Sequence, residues 1–295
     1  MTKQIPKFVV VEAPSILGLK PTGVENLPEA LKKAGLLKGL DVETTHLVEP
    51  PSYNTKRDNT THLLNPNEIK SYSLSLANTV STILQKNQFP LVLGGDCSIL
   101  IGNVLALKRL GRYGLFFIDG HADFYQPEAS PTGEVADMDL AIVSGRGPDI
   151  LTNIDGLKPL VHDQDIVLFG YRDAQESTRY GSQDVRASNI NIFDLSEVRN
   201  IGIVQAATKA LNKLSNELSG VWIHLDVDVL DDAIMPAVDY RMLGGLNFAE
   251  LSALLKVLFE SGQVVGMDIT IFNPNLDKDG SIARRLVSSI ADGMF

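Results

Sequence analysis

Cysteine is nearly absent from this sequence of 295 residues, which contains Cys97 and no other. A single cysteine excludes an intrachain disulfide, so we expect the reducing environment of the cytoplasm. Long apolar runs are absent as well. None approaches the roughly 20 residues that a membrane-spanning helix needs, and residues 1–6 lack the apolar segment of a signal peptide. We therefore expect no membrane partner.

Positive charge is also scarce. The chain has 26 lysines and arginines against 36 aspartates and glutamates, and its net charge is -10 without any block of like charge. Such a chain is poorly suited to bind nucleic acid or an anionic membrane surface. Hydrophobic residues make up 44% and charged residues 21%, which is typical of a globular protein with a large core.

Short apolar runs alternate with amphipathic stretches along the whole chain. The former predict buried strands and the latter helices. No linker-like composition interrupts the pattern, so residues 1–295 are predicted to form a single α/β domain with a mostly parallel sheet. The predicted strands are residues 8–11, 42–48, 89–93, 115–118, 166–169, 190–193, 221–228 and 264–269, and the predicted helices are residues 23–35, 65–83, 99–109, 138–144, 203–218, 247–258 and 281–291.

Three helix starts carry capping signals. Asn65 with Glu68 and Asn247 with Glu250 have the spacing of a capping box, and Ser98 is expected to cap the helix that follows it. Residues 124–136 have no clear pattern and are typical of an active-site loop.

The clearest chemical motif follows the strand predicted at residues 115–118. Asp119, His121 and Asp123 stand at alternate positions, and alternate side chains of an extended backbone point the same way. One strand end is therefore predicted to aim two carboxylates and an imidazole at one point. Function in parallel sheets is found at this carboxyl edge.

A second strand, residues 221–228, ends in Asp226 and Asp228. For one such motif alone, acids placed by chance in caps or loops explain the pattern as well as a functional site does. Two motifs at buried strand ends favour a metal site, because concentrated carboxylates need cations and hard oxygen ligands with an imidazole suit Mn²⁺ or similar ions.

These motifs resemble the three signatures of the ureohydrolases, the superfamily of arginase, agmatinase and formimidoylglutamase. The matching segments are Gly94-Gly95-Asp96-Cys97-Ser98, Asp119-Gly120-His121-Ala122-Asp123 and Asp226-Val227-Asp228. The resemblance covers nearly the whole chain. It implies a three-layer α/β/α sandwich with about eight strands, a binuclear manganese centre, and a homo-oligomer, either trimer or hexamer.

The resemblance also implies the site residues. Asp119 and Asp226 would bridge both metals, His121 and Asp228 would complete one metal, and Asp123 and Cys97 would complete the other. Asp119, His121 and Asp226 are the expected catalytic residues. The implied reaction is attack of a metal-bridging hydroxide on a small guanidino-, hydroxyguanidino- or formimino-type substrate, which hydrolyses a non-peptide C–N bond. The alternative is a non-catalytic binding or assembly protein with the same fold.

Cys97 departs from the family pattern, which usually has a histidine ligand at this place. A thiolate adds negative charge and shifts metal preference from Mn²⁺ toward Zn²⁺ or Fe²⁺. The other interpretation is a neutral thiol packed behind the site.

Three further departures affect the substrate. Ile271 replaces the glutamate that pairs with guanidinium, which argues against ordinary arginase or agmatinase activity, since a buried cation needs a counter-charge. Ala136 replaces the histidine thought to shuttle protons. Gln175 replaces a carboxylate that contacts the α-amino group in arginases, which argues against an α-amino acid substrate.

Other polar residues lie near the motifs, and two interpretations are open for most of them. His224 is expected to hydrogen-bond to the site and not to ligate. Asp268 is expected either to order the strand turn or to serve the site, and Arg172 with Asp173 either to form an ion pair or to contact substrate. A metal-dependent deacetylase of related fold would need His/Asp pairs for general base catalysis, and none is recognisable in the sequence.

Overall fold

Eight short strands form one parallel sheet. The computed structural model describes residues 7–294. The strands follow the order β2-β1-β3-β8-β7-β4-β5-β6, and every neighbouring pair is parallel. They are β1 (Phe8–Glu12), β2 (Val42–Leu47), β3 (Phe89–Leu93), β4 (Gly114–Ile118), β5 (Ile166–Phe169), β6 (Asn191–Phe193), β7 (Val221–Asp226) and β8 (Val264–Thr270).

Helices cover both faces of this sheet. Within residues 7–294 they are α1 (Leu27–Ala34), α2 (Pro66–Gln85), α3 (Ile99–Leu110), α4 (Asp139–Val143), α5 (Asp149–Thr152), α6 (Ala174–Arg179), α7 (Leu195–Ile201), α8 (Ile203–Leu211), α9 (Phe248–Glu260) and α10 (Ser281–Met294).

Strand alternation divides the core into two layers. Val10 and Phe116 face a cluster that includes α1 and α7 to α10, whereas Val9, Val11 and Phe117 face a cluster that includes α2 to α5. The inner strands are buried on both faces, which explains why their sequences are mostly apolar, whereas the edge strand β2 is largely exposed and polar. The predicted three-layer α/β/α sandwich with eight strands is confirmed.

Local signals fixed some helix ends and not others. The capping box of Asn247 and Glu250 is present at the start of α9, and Gly35 ends α1 with a left-handed φ of 101°. Asn65 does not cap α2, because its side chain accepts the Asn54 N–H and donates to the Leu17 carbonyl instead.

Two more local expectations are wrong. Ser98 gives no side-chain cap to α3; the preceding Asp96 carboxylate accepts the Ser98 N–H at 2.9 Å. Helix α8 ends at Leu211, seven residues before the predicted end at Leu218. Across residues 7–294, no helix combines the length and apolarity that crossing a bilayer requires.

The central strands β3, β8, β7 and β4 are consecutive neighbours in the sheet. Because they are parallel, the segments that follow them meet at one edge. Three of the four carry the sequence motifs, so the topology alone brings the motifs together.

Candidate metal centre

The carboxyl ends of the central strands assemble the predicted ligands. Cys97 follows β3, Asp119 follows β4 and Asp226 ends β7. Ligand atoms of these three residues lie within 4.8 Å of one another, and those of Asp119, His121 and Asp228 form a second group of the same tightness. Asp119 belongs to both groups, which is what a residue that bridges two ions requires.

Tight turns, and not strand alternation, aim these side chains. Strand β4 has ended at Ile118, and the Asp119 Oδ1 accepts the backbone N–H of His121 at 2.6 Å. At the end of β7, the Asp226 Oδ1 accepts the N–H of Asp228 at 2.7 Å in the same way. The predicted convergence is therefore present, but the expected extended backbone is wrong.

Gly120 permits the close approach of the two turns. Its N–H donates to the Asp228 Oδ1 at 3.1 Å. A Cβ at this position would lie 2.5 Å from the Arg172 Nη1 and 2.9 Å from the Asp228 carbonyl oxygen. A larger residue would force the two ligand-bearing turns apart.

His121 lies between two carboxylates. Its Nδ1 is 2.9 Å from the Asp228 Oδ2 and 3.7 Å from the Asp119 Oδ1. Burial opposes protonation of His121, but the negative charge of Asp228 and Asp119 outweighs it and raises the pKa of the imidazole well above its usual value. Burial likewise opposes ionisation of Asp228, but His121 holds its pKa below the usual range.

Cys97 faces the acidic cluster and is not packed behind it. Its Sγ is 3.0 Å from the Asp226 Oδ2 and 3.2 Å from the Thr270 Oγ1. The residue is 1% exposed, and burial, followed by the charge of Asp226, raises the pKa of the thiol well above its usual value. The sulfur thus needs a cation beside it to ionise.

Among the residues that the structure describes, no lysine or arginine forms an ion pair with the carboxylates of the cluster, although the charge of Arg172 helps to lower the pKa of Asp228. Their ion pairs in this part of the chain involve histidines. Burial, and then Asp228, raise the pKa of Asp119 to about 6, and the same two causes raise that of Asp226. The Asp119 Oδ2 is buried and has no hydrogen-bond partner. These donors and their missing counter-charge fit divalent cations.

Asp123, the sixth predicted ligand, lies at the margin of the cluster. Its φ of 44° is in the left-handed region that aspartate tolerates better than most residues. It lines the same cleft as Cys97 and His121, although it belongs to none of the tight ligand groups found among residues 7–294. Burial, and then Asp119 and Asp139, raise its pKa.

A third tight group was missed by sequence reasoning. Ligand atoms of Cys97, Asp139 and His224 also lie within 4.8 Å of one another, and all three residues are buried. Asp139 begins the short helix α4 and had only been part of a helical pattern. The D-x-D spacing of Asp137 and Asp139 was the one available signal, and it is weak.

His224 forms its hydrogen bond with Asp268 and not with a predicted ligand, and its second ring nitrogen is free. Its Nδ1 is 2.5 Å from the Asp268 Oδ2, while its Nε2 has no hydrogen-bond partner. Asp268 also accepts from Trp222 and from Asn103, so it orients His224 within the sheet. Burial lowers the pKa of His224, but Asp268 outweighs this and raises it to about 9.

The His224–Asp268 contact is a His/Asp pair of the kind that was not recognisable in the sequence, because its members are on different strands. His224 does not line the cleft that adjoins the cluster. The pair therefore does not face substrate as the general base of a deacetylase would.

A cleft adjoins the cluster. Six carboxylates and three tyrosines line it, and no lysine or arginine is among the lining residues that the structure describes. Such a surface suits a nitrogen-rich or cationic ligand. The carboxylates are those of Asp123, Asp137, Asp173, Glu176, Asp226 and Asp228, and the tyrosines are Tyr125, Tyr180 and Tyr240.

Ile271 and Ala136 both line this cleft, at the places where the resemblance puts a glutamate and a histidine. Ile271 has a φ of 71°, which is unusual for a β-branched residue, and its N–H donates to the Gly95 carbonyl at 2.9 Å. The acid beside Ala136 is Asp137, which also lines the cleft. Burial, and then Glu134, raise the pKa of Asp137 to about 7.

The cleft has a carboxylate near Gln175 after all. Gln175 is exposed and is not a lining residue, but the next residue of α6, Glu176, is. Glu176 therefore supplies a carboxylate at this end of the cleft, one residue from the position where the resemblance puts one. An ungapped count cannot tell which of two adjacent helical residues faces the site.

Arg172 and Asp173 do not pair with each other. Arg172 donates to backbone carbonyls of Asp228, Val229, Leu230, Met242 and Leu243. Asp173 accepts the Ala122 N–H at 3.1 Å and lines the cleft. Both residues hold the ligand-bearing turns in place.

Comparisons with known proteins agree with this geometry. The sequence model of the Arginase family matches residues 6–295. An arginase of Staphylococcus aureus (strain COL) is 33% identical over 290 residues, which is 95% of this chain and 94% of the relative. An arginase of Bacillus subtilis (strain 168) is 31% identical over 288 residues, or 95% of this chain and 96% of the relative.

A solved structure gives the same result. The native structure of arginase from Bacillus caldovelox superposes with a TM-score of 0.89 at 28% identity and covers 99% of this chain and 98% of that one. The chain therefore belongs to the arginase family within the ureohydrolase superfamily, and it is a hydrolase of the amidinohydrolase type.

Proposed function

We propose that the protein is a binuclear metal-dependent hydrolase that cleaves a non-peptide C–N bond in a small guanidino-, hydroxyguanidino- or formimino-type substrate. Asp119 and Asp226 would bridge two divalent ions. His121 and Asp228 would hold one ion, and Cys97 and Asp123 the other.

One observation carries the proposal. Two tight groups of buried ligand atoms share Asp119 and adjoin an acid-lined cleft, without a lysine or arginine paired to their carboxylates in residues 7–294. Folding an uncompensated cluster of this kind would be costly, so bound cations are the natural counter-charge.

The chain's own side chains divide the chemical work. Divalent ions, when bound, supply Lewis acidity: they lower the pKa of a water molecule toward neutrality and stabilise negative charge that develops on the substrate. Asp119 and Asp226 accept backbone N–H groups of the residues two positions on, which fixes the orientation of the two carboxylates that would hold the ions. Asp137, with a pKa raised to about 7 by burial and by Glu134, is a cleft-lining group able to accept or release a proton near neutral pH.

The cleft suits a nitrogen-rich substrate without a strongly basic reacting group. Its carboxylates, with Glu176 and Asp173 among them, provide counter-charge for an amine-bearing part of the substrate. Ile271 places an apolar side chain where guanidine-cleaving relatives pair a cation, so a hydroxyguanidino or formimino carbon fits that end better than a guanidinium.

The metal, the assembly and the compartment are part of the same proposal. Mn²⁺ is the preferred ion because most of the ligands are hard oxygens, and Zn²⁺ or Fe²⁺ are the alternatives because of Cys97. We propose one arginase-like domain over residues 1–295, acting in the cytoplasm as a homo-oligomer. The non-catalytic alternative has no support from the relatives, which are described as arginases.

A substrate screen tests the proposal. The full chain, purified without chelator, is incubated with Mn²⁺ or Zn²⁺ and with guanidino, hydroxyguanidino, formimino and ureido compounds. Release of urea, formamide or ammonia is then measured. We expect metal-dependent turnover of at least one class, abolished by Asp119→Asn.

Asp165→Asn is the matched control, because Asp165 is a buried carboxylate outside the cleft and should leave turnover intact. The proposal fails if the purified protein contains well under one ion of manganese, zinc or iron per chain and binds no more when these metals are added. It also fails if Asp119→Asn hydrolyses an identified substrate as fast as the unaltered protein does.

A further inference from the structure

Two buried polar atoms beside the centre have no hydrogen-bond partner. The His224 Nε2 and the Asp139 Oδ2 lie 3.9 Å apart, and neither has a hydrogen bond. Both side chains are 0% exposed. Leaving two such groups unsatisfied costs free energy, so their position calls for a third atom between or beside them.

An atom placed between His224 and Asp139 would also lie close to the Cys97 sulfur. Cys97 shares one tight ligand group with Asp139 and His224 and another with Asp119 and Asp226. An ion bound to Cys97 would therefore lie near the His224 imidazole and the Asp139 carboxylate. These two groups are additional to the ligands of the proposed centre.

The orientation of His224 is already set for ligation. Its ring stacks on Phe117 with centroids 4.6 Å apart, and the Nδ1 is held by Asp268. A carboxylate on one ring nitrogen fixes the tautomer and leaves the other nitrogen free to bind a metal. The 3.9 Å between the His224 Nε2 and the Asp139 Oδ2 also fits, because two ligand atoms at about 2.0–2.3 Å from one ion lie no more than about 4.6 Å apart.

We propose that His224 and Asp139 are additional ligands of the metal ion bound by Cys97, so that an imidazole from β7 replaces the one that the family pattern has at position 97. This inference rests on the proposed metal centre. It adds an imidazole and a carboxylate to the thiolate and carboxylates already proposed for that ion. A thiolate together with an imidazole is a donor pair that Zn²⁺ and Fe²⁺ accept more readily than Mn²⁺ does. The two metal positions are then chemically different.

The test measures metal binding and needs no substrate. The full chain is stripped of metal, reloaded with Co²⁺ or Mn²⁺, and analysed for ions per chain and for the near-ultraviolet charge-transfer band of a thiolate bound to Co²⁺. His224→Asn keeps a side-chain nitrogen near the position of Nδ1 for Asp268 and removes Nε2. Asp139→Asn keeps the Oδ1 that accepts the Leu140 N–H at 2.8 Å. His162→Asn, at an exposed histidine, is the matched control.

We expect the unaltered protein and His162→Asn to bind about two ions with a thiolate band. We expect His224→Asn and Asp139→Asn to bind one of the two ions at least about tenfold more weakly, with the band shifted or lost. Asp228→Asn should weaken the other ion and retain the band. If His224→Asn fails to fold, the ion affinity and the thiolate band of Asp139→Asn test the inference instead.

Two results separate the possible failures. If the unaltered protein binds two ions and both variants keep two ions, their affinities and the band, then His224 is only a protonated link between Asp268 and Asp139 and this inference is wrong. If the unaltered protein binds no ions at all, the proposed function is wrong as well.

Discussion

Buried carboxylates at the two ends of the sheet are neutralised in different ways. Asp165, just before β5, accepts two hydrogen bonds from Arg112, at 2.8 and 2.9 Å. At the opposite end, Asp119, Asp226 and Asp228 have only histidine and thiol partners among the described side chains. The chain can thus bury a carboxylate against a guanidinium, but at the carboxyl edge it does not.

This difference separates structural charge from functional charge. A guanidinium fork balances its acid within the folded chain and needs nothing from solution. The carboxyl-edge cluster has no such fork, and the proposed centre would be balanced by bound cations. Its stability should therefore depend on metal, while that of the Arg112–Asp165 pair should not.

The largest expected effect comes from removing the shared ligand. Asp119→Asn should reduce hydrolysis of any identified substrate by at least about 100-fold, the upper end of what changes around a metal ligand cost. Without metal, its melting temperature should not fall, because the substitution removes one uncompensated charge. Steady-state kinetics and thermal unfolding with chelator measure the two effects. Full activity in the variant would mean that the carboxyl-edge carboxylates are not functional charges.

Metal addition should stabilise the protein through the carboxylates at the carboxyl edge of the sheet and not through Asp165. With Mn²⁺ or Zn²⁺ at 100 times its dissociation constant, the free energy of unfolding should rise by about 2.7 kcal/mol for each ion bound. Asp119→Asn should lose most of this gain and Asp165→Asn should keep it. Denaturant titrations with and without metal measure the gain, and equal responses of the two variants would contradict the comparison.

Breaking the guanidinium fork should lower stability without affecting chemistry. Arg112→Met leaves the Asp165 carboxylate, with a side chain 1% exposed, without its cation, so the melting temperature should drop clearly with or without metal. Arg186→Met breaks an exposed pair with Asp184 and should change the melting temperature little. Similar drops in melting temperature in both variants would mean that burial does not determine how much these ion pairs contribute to stability.

The smallest expected effect is on the stability of the protein at low pH. Hydrogen bonds from Arg146 hold the pKa of Asp163 below its usual range, even though partial burial opposes this. A lowered folded-state pKa gives stability that is present above the unfolded value of about 4 and lost as pH falls through the folded value. Asp163→Asn should remove at most about 1 kcal/mol at neutral pH, because the pair is partly screened by solvent.

Unfolding curves of Asp163→Asn and the unaltered protein between pH 2 and 7 check this, since the two should converge toward low pH. A constant difference across that range would show that the residue acts by packing and not by charge.

The strands and the main ligand motifs could be predicted because both depend on local pattern. Buried parallel strands are continuous apolar runs, and a parallel topology sends their ends to one edge, so Asp119 and Asp226 could be expected to meet. Local signals failed where tertiary contacts compete. Asn65 gives its side chain to Asn54 and Leu17 instead of the helix it precedes.

The rest of the site depends on contacts between distant segments. Asp139 meets His224 only after α4 has packed beside β7, and no spacing rule relates positions 85 residues apart. Glu176 could be distinguished from Gln175 only by the orientation of one helical turn. These residues carry no motif, so they become visible only when the fold is known.

Arg172 has a consequence for how the protein fails when heated. Its one guanidinium serves five carbonyl acceptors on the segments that follow β7, and it is itself anchored after β5. Those segments can separate only if the contacts are lost together. Heat inactivation should therefore coincide with global melting, and a calorimetric trace should contain a single peak with no earlier release of metal.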